Sequence, residues 1–214
     1  NTTNFRGDYR GNDSLRGGEG NDEIHGNAGD DDINGGTGDD DLFGDQGNDL
    51  ISGANGDDVM AGGAGNDSMR GEAGDDVLQA DIGNDFLSGG VGDDVLFGGA
   101  GTDKIVGGSG ADAIHGGAGN DQLWGGAWGA DSTADTFVFM QGTGRDFVFD
   151  FEAGTDFLDL IAFATGFAEV MDATRYEGWA TIIDLSELDA GQTGDQITLL
   201  SVGSDTLHFD SFIF

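Results

Sequence analysis

Aspartate returns every ninth residue at Asp13, Asp22, Asp31, Asp40, Asp49, Asp58, Asp67, Asp76, Asp85, Asp94, Asp103, Asp112 and Asp121, thirteen times without a gap. Carboxylates can serve as acids, bases or ligands for hard cations. Adjacent pairs such as Asp57 and Asp58 could suggest a catalytic dyad, but their fixed phase makes them turn and ligand residues. No HExxH or GxSxG occurs, and His25, His115 and His208 are far apart in the sequence. With no cysteine there is no thiolate site and no disulfide. The chemistry that remains is cation binding by oxygen, and the chain is read as carrying no catalytic motif.

Two further columns share the period. Two residues before each of the thirteen aspartates stands glycine, from Gly11 to Gly119. Two residues after each stands Leu, Ile or Met, from Leu15 to Leu123. The frame is G-G-x-G-x-D-x-U-x with U apolar. Its first position departs at Asp8 and Ala80, and its second at Tyr9, Asn27, Asp45, Ala54, Glu72 and Asp81. Asn and Asp tolerate a left-handed backbone, whereas Tyr9, Ala54 and Glu72 adopt it less readily.

The elements that must position the aspartates follow from this frame. Three residues, x-U-x, form a strand with U on one side and its neighbours on the other. Six residues, G-G-x-G-x-D, form the turn, where glycine supplies backbone angles that other residues resist. Two repeats then make one coil, and coils stack as parallel strands about 4.8 Å apart. Turns lie on turns, aligning carbonyls and carboxylates in two columns.

The frame resembles the calcium-binding nonapeptide of RTX (hemolysin-type) proteins over residues 8–124. The resemblance implies an all-β fold, a right-handed parallel β-roll holding calcium between stacked turns. It makes the thirteen aspartates ligands. With them it implies the backbone carbonyls of Gly18, Gly20, Gly36, Gly38, Gly63, Gly65, Gly90, Gly92, Gly99, Gly101, Gly108, Gly110, Gly117 and Gly119.

Elementary energetics gives the cation a structural duty. In residues 8–124 only 21 of 117 are Leu, Ile, Val or Phe. One buried aliphatic returns about 1.5–3 kcal/mol, against about 1–2 kcal/mol of backbone entropy for each of nine residues. The same stretch holds 26 acids and four bases, a net −22, so stacking also brings like charges together. Calcium takes six to eight oxygens in flexible geometry; magnesium demands a tighter octahedron, and zinc seeks His or Cys. With one ion between each pair of stacked turns, about ten ions are expected, and their charge matches the −22. The roll is expected to be disordered without calcium and folded with it.

The remainder differs. Domain bounds are placed at 1–130 for the roll and 131–214 for a C-terminal capping segment. That segment carries 11 of the 15 phenylalanines, enough for a hydrophobic core. Residues 137–160 read as three strands, 165–175 as a short helix, and TIIDL, QITLLSV and DTLHFDSFIF as closing strands. GRDFVFDFEAGTDFLDL resembles the C-terminal cap of serralysin-type RTX proteins. Asp135 recovers position six after an insertion, and Asp146, Asp150, Asp156 and Asp159 are further candidate ligands or solvated strand and turn residues. The ending FDSFIF is similar to the uncleaved type I secretion signals of this family, or is a last core strand.

A formal charge of −35 excludes binding to nucleic acid by phosphate neutralisation and disfavours anionic membranes. No apolar run approaches a bilayer span. The chain opens NTTNFRGDYR, without an apolar signal core or initiator Met, and reads as a fragment or processed product of a secreted protein.

Outward residues of alternate repeats stack. One face offers Val59, Val77 and Val95 with Phe43 and Phe97, an apolar ribbon expected to dock a partner: the C-terminal segment, an upstream domain or a second copy. Ordinary β-propensity is the competing account. The opposite face reads as mostly polar, and His25 and His115 as solvated. Two functions follow. One is a module that folds on export through the type I secretion apparatus into extracellular calcium. The other is an extracellular polysaccharide- or partner-binding module, by resemblance to the roll modules of alginate epimerases.

Overall fold

The computed structural model describes residues 4–7, 10–126, 133–140, 142–160, 174–176, 180–185, 195–200 and 211–213. The repeats wind into a parallel β-solenoid in which each repeat contributes one strand and successive strands alternate between two sheets. One sheet runs through Asn4–Arg6, Glu23–Ala28, Asp41–Gln46, Val59–Ala64, Val77–Ile82, Val95–Gly101 and Ala113–Gly119. It continues into Thr136–Val138, Phe157–Asp159 and Phe212–Ile213. The second runs through Ser14–Glu19, Asp32–Thr37, Leu50–Asn55, Ser68–Ala73, Phe86–Val91, Lys104–Ser109 and Gln122–Gly126. Arg145–Val148 and Gln196–Leu200 continue it in parallel, and Ala180–Asp184 and Thr174–Tyr176 close it antiparallel.

The period of two within each strand sends U inward. Ile24, Leu42, Met60, Leu78, Leu96 and Ile114 of one sheet meet Ile33, Ile51, Met69, Leu87, Ile105 and Leu123 of the other in a core that is no more than 1 % exposed. The core continues through Phe137, Phe139, Val148, Phe151 and Leu158, then Ile183, Ile197, Leu199 and Phe212.

The strands are longer than the three-residue expectation. Pairing continues past x-U-x to positions two and three, as in Gly18 with Gly36 and Glu19 with Thr37. Identical turns stacked in register keep their backbones parallel, so the ladder runs into the turn. The anticipated left-handed second position is borne out: Asn27, Asp45, Ala54, Glu72 and Asp81 have φ of 72–84°. Non-glycine residues there carry a cost of about 1–2 kcal/mol.

Beyond the regular repeats the three strands expected over 137–160 are present, and strands lie where TIIDL and QITLL were expected. The expected helix is corrected at its end: Thr174 and Arg175 lie in a strand paired with Ile183 and Ile182. Residues 165–173 lie outside the described residues. Phe212 and Ile213 pair with Leu158 and Asp159, so this part of the ending is a strand of the folded molecule.

Candidate metal centre

Backbone N–H groups at positions four to seven bond across the stack. Position four donates to the position-three carbonyl one coil on, as Gly20 N–H to Thr37 O at 2.7 Å. Position five donates to the position-five side chain one coil back, as Asp75 N–H to Asp57 Oδ1 at 2.9 Å. Position seven donates to the aspartate carbonyl one coil back, as Val77 N–H to Asp58 O at 2.9 Å. Position six donates to the aspartate side chain one coil on: Asp40 N–H to Asp58 Oδ1 at 2.8 Å, and Asp58 N–H to Asp76 Oδ1 at 2.8 Å.

A column aspartate thus uses one oxygen to bind its neighbour, and at the following residues the other is left over. Oδ2 of Asp31, Asp40, Asp49, Asp58, Asp67, Asp76, Asp85, Asp94, Asp103, Asp121 and Asp146 is buried and accepts no hydrogen bond. A buried, unbonded carboxylate oxygen is costly unless a cation meets it. Burial accordingly pushes these carboxyls up, opposed by the backbone N–H each accepts and aided, except at Asp121, by neighbouring carboxylates. Asp49, Asp67, Asp76, Asp85, Asp103 and Asp121 rise to about 6 and Asp58 and Asp94 to about 7.

The leftover oxygen faces a hollow kept open by the first glycine of its own turn. A Cβ on Gly35 would meet Asp40 Oδ2 and sit 3.0 Å from the carbonyl oxygen of Gly53, one coil on. On Gly62 it would sit 2.5 Å from Asp67 Oδ2 and 3.1 Å from the Ala80 carbonyl. Hard oxygen donors, one anionic and one neutral, converge on a space that only glycine leaves free. That donor set suits calcium, which coordinates oxygens at about 2.3–2.6 Å. The sequence reading missed the position-one carbonyls on this hollow. The carbonyls it named, at positions two and four, lie against the same positions of the next turn, as Gly18 O against Gly36.

The columns run beyond the regular repeats. Asp112 N–H donates to Asp135 Oδ1, Asp121 N–H to Asp146 Oδ1 (both 3.0 Å) and Asp135 N–H to Asp156 Oδ1 (3.2 Å). Asp146 is pushed up to about 8 and Asp156 to about 7, with burial the first cause in each. Asp150 instead caps the Gly125 and Gly126 N–H groups, and Asp159 lies in an outer strand position beside Leu158. A residue the sequence did not single out, Asp195, accepts from Gly142 and Gly144 N–H at 2.7 and 3.1 Å, at the end of one column among the described residues.

The outer faces differ from expectation. Of the apolar ribbon, Val59 is exposed (45 %), while Phe43, Val77, Val95 and Phe97 are half-buried. The histidines are not simply solvated. His25 stacks on Phe43 and meets Glu23 at 3.1 Å; His115 stacks on Phe97, and burial pulls its pKa down. His208 lies outside the described residues. The face expected to be polar carries a ladder of rings and cations: Arg70 over Phe86 at 5.8 Å, and Lys104 between Phe86 and Trp124 at 5.7 and 5.2 Å. Trp124 in turn stacks on Phe149 at 4.2 Å.

A glycine-walled column of buried carboxylates along a parallel β-solenoid defines a calcium-binding roll. The sequence matches the model of RTX calcium-binding nonapeptide repeats over residues 9–42, 35–69, 62–96, 70–105 and 97–127. The chain belongs to that family of calcium-binding repeats. No curated protein sequence matches it significantly. Among solved structures, it is similar to the extracellular lipase LipA from Serratia marcescens (22 % identity, TM-score 0.43, over 92 % of this chain and 39 % of that one). The chain therefore spans well under half of the lipase's length. It is also similar to the AlgE6R3 subunit from the Azotobacter vinelandii mannuronan C5-epimerase (22 % identity, TM-score 0.32, over 97 % of this chain and 80 % of that one).

Proposed function

We propose that this chain is a calcium-triggered folding module of a secreted protein, holding about ten ions, disordered where calcium is scarce and folded where it is abundant. The column of buried aspartates whose Oδ2 accepts no hydrogen bond carries this reading. Without a cation these oxygens oppose the fold; with one they hold successive coils together. Asp135, Asp146 and Asp156 extend the ligand columns into the capping segment. An unfolded chain suits passage through the type I secretion apparatus, and extracellular calcium then drives folding by mass action. In the same reading the face around Val59, Val77 and Val95 docks an upstream domain or a second copy. Far-UV circular dichroism of the purified chain at neutral pH tests the trigger: a disordered spectrum in chelator should turn to β on adding millimolar calcium. A fully folded spectrum in chelator would overturn it.

The ring-and-cation ladder supports a second reading, an extracellular module that binds an anionic polysaccharide. In a chain of charge −35, Arg70 and Lys104 are gathered on one face with Phe86, Trp124 and Phe149. Calorimetric titration of the calcium-loaded chain with a polyuronate is its test. Binding should disappear in Arg70→Ala/Lys104→Ala, and no heat with the parent chain removes the reading.

A further inference from the structure

The hollows are not all alike, and one turn breaks the rule that keeps them open. From Gly17 to Gly116 the first position of every repeat is glycine except at Ala80. In the turns one coil before and after, a Cβ at this position would meet the very oxygens that face the hollow. On Gly62 it would lie 2.5 Å from Asp67 Oδ2, and on Gly98 2.5 Å from Asp103 Oδ2 and against the Gly116 carbonyl. Ala80 possesses that Cβ. Its side chain is fully buried and belongs to the hydrophobic core, so the methyl cannot swing into solvent.

The backbone registers the intrusion. Asn27 pairs with Asp45, Asp45 with Gly63, Gly63 with Asp81, and Gly99 with Gly117, but the ladder between Val77–Ile82 and Val95–Gly101 skips Asp81 and Gly99. The aspartate itself is in place, since Asp85 Oδ1 accepts the Asp67 N–H at 2.7 Å and Asp85 Oδ2 is buried without a hydrogen bond.

We propose that the Ala80–Asp85 turn does not hold calcium, and that the ion column along this edge of the roll is interrupted there. This rests on the calcium-binding reading above. A methyl carbon offers no lone pair, and a calcium ion needs six to eight oxygens at about 2.3–2.6 Å within the same space. The interruption is confined to one turn, because the Ala80 carbonyl still lies beside the hollow of Gly62 and Asp67. Ions along this edge fall into two runs, one ending at Asp67 and the other starting at Asp103.

Counting ions tests this directly. The protein is saturated with calcium, confirmed folded by circular dichroism, and its bound calcium is counted by native mass spectrometry. Ala80→Gly, which only removes the methyl, should bind one ion more than the parent. Adding Asp85→Asn to Ala80→Gly should return the count to the parental value. Gly98→Ala, which installs the same methyl one coil on, should bind one ion fewer than the parent. An Ala80→Gly count equal to the parent's would overturn the inference, as would a Gly98→Ala count that stays parental. Failure of the calcium reading itself looks different: no variant and no parent would carry ions.

Discussion

At the scale of single residues, position two of the repeat exposes a cost that the turn accepts. Ala54 and Glu72 sit at φ of 84° and 78°, where a Cβ crowds the backbone. Glu72 recovers part of this through a hydrogen bond from Ser52 Oγ at 3.0 Å, and Ala54 has no side-chain group with which to do the same. Ala54→Gly should therefore stabilise the calcium-loaded roll by about 1 kcal/mol, the relief of left-handed strain less the entropy glycine adds to the unfolded chain. Calcium-saturated thermal or urea unfolding measures it, and a destabilised variant would contradict the strain argument. The strained positions were legible in the sequence because the period assigns each residue a backbone angle. His115 was not: its outward position implied water, but Phe97 stacked beside it removes much of that water.

At the scale of the turn, burial raises the aspartates of the columns into one titration range. The folded carboxyls of Asp49, Asp58, Asp67, Asp76, Asp94 and Asp121 lie at about 6–7, against about 3.9 for an exposed chain. Between these limits the folded, metal-free state holds more protons than the unfolded one. Its stability is thus greatest below about pH 4 and is lost as pH rises through about 6–7. In chelator, lowering the pH from 8 to about 4.5 should shift the circular dichroism toward β-structure, because a proton partly replaces the ion on each Oδ2. Calcium titrations should move the opposite way, needing more calcium at pH 5.5 than at 7.5, since ligands must give up their protons. A pH-independent spectrum in chelator would contradict the assignment of burial to these carboxylates.

At the scale of the whole molecule, the sequence by itself determined the roll. A nine-residue period leaves one arrangement in which every U is inside and every turn lies on a like turn, so the core from Ile24 to Leu123 and the aspartate columns follow from spacing alone. The tertiary structure decided what happens where the period fails. Asp112, Asp135 and Asp156 are 23 and 21 residues apart, yet they bond in one column because Thr136–Val138 and Phe157–Asp159 pair in the same register as the regular repeats. Asp195 closes the other column at Gly142 and Gly144 from 51–53 residues away, which no local spacing announces. The ring-and-cation face was hidden for a related reason: Arg70, Phe86, Lys104 and Trp124 occupy differing repeat positions and meet only when strands two repeats apart lie side by side. Periodic short-range order fixes what repeats, whereas contacts made across an insertion depend on where the chain comes back.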